Sequence, residues 1–150
     1  MKIDDLTVSI IKHLRNGRVR FKEIADQLAI AEGTVRSRVK KLQEEGIVEI
    51  TGLINPELVP NRSIVYIGVK LSTIELVKKG EEISKVKGVI SVGVVTGRYD
   101  LILTVALKTG FGLLEFYTQE LSKVDEIQSV EAFVVYKCYN IKIPCDEIIA

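Results

Sequence analysis

Residues 63–95 and residues 101–133 follow one pattern, and this internal repeat limits the possible folds more than any other feature of the chain. Shifted by 38 positions without a gap, the two segments share nine identical residues in 33. The identities include the tripeptide Ser-Lys-Val, at 84–86 and again at 122–124. Several other pairs exchange one apolar residue for another. We infer that one structural unit occurs twice.

Each copy of the repeat has the pattern of a strand, a helix and a second strand. The first strand alternates apolar residues with others, in SIVYIGVKL at 63–71 and in LILTVALK at 101–108. Apolar residues at helical spacing follow, and another alternating strand closes the copy. The predicted helix stripes are Leu76, Val77, Ile83 and Val86 in the first copy, and Leu113, Leu114, Tyr117, Leu121 and Val124 in the second. The closing strands carry Val92 and Val94, or Val130, Ala132 and Val134.

Two such β-α-β units, joined by right-handed crossovers, build one antiparallel sheet with both helices on one side. Residues 63–141 are therefore predicted to be a ferredoxin-like α+β domain. The sheet face turned away from the helices is also apolar, through Ile64, Tyr66, Ile102, Phe133 and Val135. Because exposed apolar sheet usually marks an interface, the domain is expected to dimerise through this face. The alternative is a set of scattered surface apolar residues.

The first fifty residues predict a different kind of domain. Three helical segments, at about 4–15, 21–28 and 32–45, are followed by the natural C-cap Gly46 and by the β-rich stretch IVEITGLIN. A tight turn separates the second helix from the third. This order is typical of a winged helix-turn-helix. The predicted boundaries are 1–50 for this domain, 51–62 for a linker strand, 63–141 for the ferredoxin-like domain and 142–150 for a tail.

The third predicted helix is the candidate for reading DNA. Val35, Val39 and Leu42 fall on one face, which predicts that they enter the core. The residues left facing outward are Gly33, Thr34, Arg36, Ser37, Arg38, Lys40 and Lys41. Short residues at its start would let the helix approach base edges, and the cations can meet phosphates or guanines. A solvated basic face on an ordinary helix is the alternative.

Charge is concentrated around this helix. The whole chain has a net charge of +1, but residues 15–41 hold eight Lys and Arg against three Asp and Glu, a local excess of +5. An anionic partner is expected there.

The complete pattern resembles the Lrp/AsnC family, the feast/famine transcriptional regulators. The resemblance covers essentially the whole chain and rests on the segments IDDLTVSIIKHL, FKEIADQLAIAEGTVRSRVKKLQEEGIV, INP and TGRYDLILTV. Thr7 stands where the family often has Asp, and Ala31 stands where it often has a Ser cap, which removes about 1 kcal/mol of capping.

The resemblance implies a cytoplasmic regulator that binds double-stranded DNA. It also implies homodimers built on the second domain, called the RAM domain in this family, that assemble into tetramers or octamers. A free amino acid is the implied effector, and no other cofactor is expected.

The candidate effector site is the turn between the second and third strands of the repeat. It consists of Thr96, Gly97, Arg98, Tyr99 and Asp100. Gly97 exposes backbone N–H groups to a carboxylate, Asp100 offers an anion to an α-ammonium, and Tyr99 can wall off a side chain. By resemblance, Ser129 and Glu131 face this turn, and the Glu131 carboxylate favours glutamine or a basic amino acid. The alternative is a plain hairpin turn.

Other functional classes find less support in the sequence. No apolar run reaches the roughly 18 residues that a membrane span needs. Cys138 and Cys145 have no partner motif, so thiols in a reducing compartment are expected. Siroheme decarboxylases share the two-part architecture, but the single histidine, His13, lies in the first predicted helix, and no enzyme activity is expected. A DNA-binding architectural protein without an effector remains an alternative.

Overall fold

The structure is a computed structural model that describes residues 3–145. It divides into two compact units between Thr51 and Gly52. The predicted tail at 142–150 is described as far as residue 145, and residues 146–150 lie outside the described residues.

The first unit contains three helices: α1 (Asp5–His13), α2 (Phe21–Leu28) and α3 (Glu32–Glu44). Ala29, with a positive φ of 51°, ends α2 and turns the chain toward α3. The residues buried between the helices are Ile10, Ile24, Ala25, Val35 and Val39, and Leu42 is also fully buried. The three predicted helices and the predicted core face of α3 are therefore confirmed. Ala31 precedes α3 without a capping side chain.

The segment after α3 differs from the predicted wing. Residues 47–52 form no strand. The next strand, β1 (Leu53–Ile54), belongs to the second unit, where it pairs antiparallel with β6 (Ile143–Pro144). A wing hairpin needs two strands that pair with each other, and here the β-prone stretch finds its partner in the C-terminal segment instead.

The second unit is built on an antiparallel sheet of four strands, which are β2 (Arg62–Leu71), β3 (Val89–Val94), β4 (Leu101–Lys108) and β5 (Ile127–Val134). They lie in the order β3-β4-β2-β5. This is the strand order of two β-α-β units in a ferredoxin-like domain, so the repeat and the predicted α+β fold are confirmed. Alternate residues of β2 and β4, such as Val65, Ile67 and Leu103, are fully buried in the core.

The two crossover helices differ from each other. The first, α4 (Leu76–Ser84), is regular. The second begins as α5 (Leu113–Glu115) and continues as a π-turn at Phe116–Glu120 and a 3₁₀ turn at Leu121–Lys123.

This irregularity corrects the predicted stripe of the second crossover helix. Leu114 was placed in the core but is 70% exposed, whereas Phe116 is fully buried. Phe116 and Leu121 are five positions apart and both buried, although an α-helix would turn them about 140° away from each other. The π-turn brings them to one face. In α4, Val77 was likewise placed in the core and is 76% exposed.

The outer face of the sheet is partly covered by the chain itself. Ile64, Ala106 and Ile143 are buried there, packed against residues of the linker and of the C-terminal segment. Ile64, which the sequence predicts to be exposed on this face, is only 5% exposed. Phe133 remains 44% exposed. None of the helices in residues 3–145 has the length and apolarity that crossing a bilayer requires.

Candidate DNA-binding and effector sites

The residues predicted to face outward from α3 are exposed, with one exception. The exposed ones are Gly33, Thr34, Arg36, Ser37, Lys40 and Lys41. Arg38, by contrast, is half-buried. The lysines are loosely paired one turn onward, Lys40 with Glu44 at 3.6 Å and Lys41 with Glu45 at 4.0 Å.

Arg36 is held from two sides. Its guanidinium lies 2.6 Å from the Glu32 carboxylate, one turn earlier on α3. The same group lies over the ring of Phe21 at 5.5 Å from the centroid. Such contacts restrict a long side chain while leaving it on the surface, which lowers the entropy lost when it contacts a base.

Arg38 turns toward α1 instead of outward. Its Nη1 donates to the Asp4 carboxylate and to the Thr7 hydroxyl, each at 2.5 Å. The Thr7 hydroxyl in turn donates to Asp4, and the Asp4 carboxylate caps α1 by accepting from the backbone N–H of Thr7. The expectation that Arg38 faces DNA is thus corrected: position 38 lies at the edge of the buried face of α3, where its side chain reaches the start of α1.

This network lowers the pKa of the Asp4 carboxyl well below its ordinary value, first through the hydrogen bond from Arg38 and then through those from Thr7. A carboxyl whose pKa is lower in the folded than in the unfolded state contributes stability above the unfolded pKa, about 4, and loses it as the pH falls. Asp4→Asn is therefore expected to flatten the decrease in Tm between about pH 5 and pH 2, measured by thermal unfolding. Asp5→Asn is the matched control. If the Tm of Asp4→Asn decreased as steeply at low pH as that of the wild type, the assignment of this pH dependence to Asp4 would be contradicted.

The second candidate site lies on the outer face of the sheet, where Tyr99 is seated on a glycine. A Cβ atom built on Gly68 would lie 2.7 Å from two atoms of the Tyr99 ring, so only glycine leaves room for it. The ring meets Phe133 edge-on at 6.1 Å. Its hydroxyl donates to the Glu131 carboxylate, and this bond raises the pKa of Tyr99 above its ordinary value.

A cleft of ≈ 340 Å³ opens beside this tyrosine. Its lining residues are Lys70, Arg98, Tyr99, Ser129, Val130 and Glu131. Arg98 lies 3.0 Å from Glu131 and 5.4 Å from the Tyr99 ring centroid. Arg98 and Tyr99 of the predicted turn therefore meet Ser129 and Glu131 of β5 in one place. The pairing of β5 with β2 sets Glu131 opposite Gly68.

Asp100 does not lie free in this cleft. Its Oδ2 accepts from the backbone N–H of Leu71 and its Oδ1 from the Lys70 ammonium, both at 2.8 Å. These two contacts, the backbone one first, lower the pKa of Asp100. Asp100, which the sequence predicts to offer an anion to an α-ammonium, is engaged at the end of β2 and is not among the described residues that line the cleft.

Thr96 and Gly97 lie on the exposed part of the turn, and neither is among the described residues that line the cleft. Gly97 has a φ of 129°, which agrees with a turn that favours glycine. The sequence reasoning missed Lys70 and Gly68. Their signal was the alternation of β2, which places both on the face opposite to Val69 and Leu71.

Metal chemistry finds no support within residues 3–145, where no three His, Cys, Asp or Glu side chains are grouped to hold an ion. Cys138 and Cys145 are half-buried free thiols.

Comparison with known proteins assigns both units. The protein-family model described as Lrp/AsnC ligand binding domain matches residues 64–142. A second family model, described as winged helix-turn-helix DNA-binding, matches residues 3–49. An HTH-type transcriptional regulator of Pyrococcus furiosus is 31% identical over 135 residues, which span 89% of this chain and 91% of the relative.

Two solved structures share the fold. AsnC of E. coli has a TM-score of 0.72 at 23% identity and covers 94% of this chain and 97% of its own. A transcriptional regulator of Neisseria meningitidis, in complex with L-Met, has a TM-score of 0.69 at 23% identity. The match covers 96% of this chain and 95% of that structure's chain.

Proposed function

The chain belongs to the Lrp/AsnC family of transcriptional regulators, and on this premise we propose that it binds double-stranded DNA through α3 and a free amino acid in the outer-face cleft. The observation that carries the effector part is the cleft beside Tyr99, where cations and a carboxylate stand together. The observation that supports the DNA part is the exposed face of α3, which presents short polar residues together with Arg36, Lys40 and Lys41.

A free amino acid needs partners of both signs. In the cleft, the ammonium of Lys70 and the guanidinium of Arg98 suit an α-carboxylate, and the carboxylate of Glu131 suits an α-ammonium. Tyr99 also lines the cleft, and its hydroxyl donates to the Glu131 carboxylate. Glu131 thus takes the role that the sequence suggested for Asp100.

The effector class follows from the remaining lining. Ser129 and the second oxygen of Glu131 favour a side chain that donates hydrogen bonds, so glutamine, lysine and arginine are the first candidates. Methionine joins the set because a structural neighbour carries L-Met. We propose that each of these four amino acids would bind in the cleft without a metal or another cofactor.

Effector binding would be coupled to DNA binding if the effector bridged two dimers. We propose homodimers that associate into tetramers or octamers, which would set pairs of α3 helices about 34 Å apart, one turn of DNA. An effector can shift such an equilibrium only by its differential affinity for the two states.

A thermal-unfolding screen against the twenty amino acids tests the effector part. A ligand at about 100 times its Kd stabilises the fold by about 2.7 kcal/mol, a Tm increase of at least a few degrees. The expected result is a response to one or a few amino acids that is lost in Glu131→Gln, while Glu81→Gln, which removes an exposed carboxylate from α4, keeps it.

Two outcomes would contradict this part of the proposal. A response retained by Glu131→Gln would remove the cleft as its site. No response to any amino acid would favour the effector-free DNA-binding protein and would leave the DNA part to its own test.

A further inference from the structure

The cations of the recognition helix are largely neutralised by their own unit. Residues 32–45 hold four Lys and Arg and three Glu. Arg36 lies beside Glu32, Lys40 and Lys41 lie beside Glu44 and Glu45, and Arg38 is bound to Asp4. A phosphate that approaches α3 therefore meets little net positive charge.

The stretch that runs from the end of α1 into the first turn of α2 has the opposite character. Residues 15–22, RNGRVRFK, hold four cations and no acid. The four side chains, of Arg15, Arg18, Arg20 and Lys22, are exposed, and within residues 3–145 the structure shows no ion pair for any of them. We call residues 15–22 the basic segment.

The basic segment is ordered rather than loose. Asn16 makes a turn, in which its side chain accepts from the backbone N–H of Arg18 and its carbonyl accepts from Val19. Val19 and Phe21 pack against the helical core. Arg18 lies in this turn, Arg20 immediately precedes α2 and Lys22 lies in the first turn of α2, and all three side chains are exposed.

The basic segment is also adjacent to α3. Arg36 of α3 lies over the ring of Phe21, and Arg20 and Lys22 flank that phenylalanine in the chain. Two cations of the basic segment are therefore chain neighbours of the phenylalanine on which Arg36, the residue that we expect to contact a base, is stacked.

We propose that the basic segment is the main phosphate-binding surface of this unit and supplies most of the salt-dependent affinity for DNA, while α3 supplies sequence preference. This inference rests on the proposed DNA binding and assigns it a second contact surface. Its partner is the sugar–phosphate backbone that flanks the groove occupied by α3. Each phosphate neutralised by a cation contributes about 0.9 to the slope of log K against log salt.

The test is the salt dependence of binding to a labelled duplex of mixed sequence, between about 50 and 200 mM salt. The triple variant Arg15→Gln, Arg18→Gln, Lys22→Gln is expected to reduce the slope by about 2 to 3 per protomer. The double variant Lys40→Gln, Lys41→Gln is expected to reduce it by less than about 1. Both should keep the wild-type Tm.

Two controls separate local contact from overall charge and from misfolding. The variant Lys78→Gln, Lys85→Gln, Lys123→Gln removes three surface charges from the second unit and should leave the slope unchanged. The variant Arg15→Lys, Arg18→Lys keeps the charges and should keep the slope.

An unchanged slope in the Gln triple variant, or a larger loss in the Lys40 and Lys41 variant, would overturn the inference while DNA binding itself stood. No binding by the wild type at the lowest salt would overturn the proposed function and this inference together.

Discussion

Gly68→Ala is expected to displace the Tyr99 ring from the outer face of the sheet and to abolish the response to amino acids. The new Cβ would lie 2.7 to 2.8 Å from three atoms of that ring, a distance at which something must move. Gly68 sits in β2, bonded on both sides to β4 and β5, so the backbone cannot yield easily. The ring must leave, and the cleft loses the wall that Tyr99 provides.

The stability of the second unit should fall as well. Forcing an extra methyl group into a packed site costs about 1 to 3 kcal/mol, which is at least about 4 °C in the Tm of a unit of this size. Thermal unfolding with and without the responding amino acid measures both effects.

Gly93→Ala is the matched control. Gly93 also lies in a strand of the same sheet, but its nearest neighbours to a new Cβ would be 3.8 Å away, an ordinary contact. It should keep both the Tm and the response. The double variant Gly68→Ala, Tyr99→Ala should be no less stable than Tyr99→Ala alone. An unchanged Tm and an intact response in Gly68→Ala would contradict the account of the cleft.

The sequence predicted those parts of the fold that repeat or follow a clear period. The shift of 38 positions yielded the strand order of the second unit because each copy carries the same strand alternation on either side of a helical segment. The helical period of Val35, Val39 and Leu42 likewise placed α3 and its core face. Both signals extend over several turns or strands, so single exceptions do not hide them.

The parts that sequence reasoning missed depend on contacts between distant residues. Nothing near Arg38 in the chain signals that it is bound to Asp4, 34 positions earlier. The engagement of Asp100 by Lys70 depends on how the turn after β3 meets the end of β2. The two-residue strand β6 is too short to show any alternation, so its pairing with β1 could not be predicted.

The π-turn at Phe116–Glu120 was missed for a different reason. Helical spacing assumes a constant angle for each residue, and the wide turn changes that angle within one helix. Leu114 satisfied the assumed period and Phe116 did not, although Phe116 is the buried residue.

Arg36→Ala is expected to lose affinity for DNA and Arg38→Ala to lose thermal stability, although the two residues stand two positions apart on α3. Arg36 is exposed and its pair with Glu32 contributes about 0.3 to 0.5 kcal/mol, so its loss should leave the Tm nearly unchanged. A guanidinium that contacts a guanine contributes about 1 to 3 kcal/mol of discrimination, which is about 5- to 150-fold in affinity for a preferred duplex.

Arg38→Ala should show the reverse. The variant breaks the link between α3 and the cap of α1, so it should lower the Tm of the first unit. Its affinity for DNA, measured well below that Tm, should change less than in Arg36→Ala. A Tm equal to that of the wild type, together with a larger loss of affinity, would contradict the orientation of Arg38.

The most direct test of DNA binding through α3 is the affinity of the wild type and of Arg36→Ala for a duplex enriched from a random-sequence pool, compared with an unselected duplex. The account predicts that the wild type prefers the enriched duplex by about 1,000-fold or more. Arg36→Ala should lose about 5- to 150-fold in affinity for the enriched duplex and little for the unselected one. A wild type that prefers no duplex, or an Arg36→Ala variant as selective as the wild type, would contradict it.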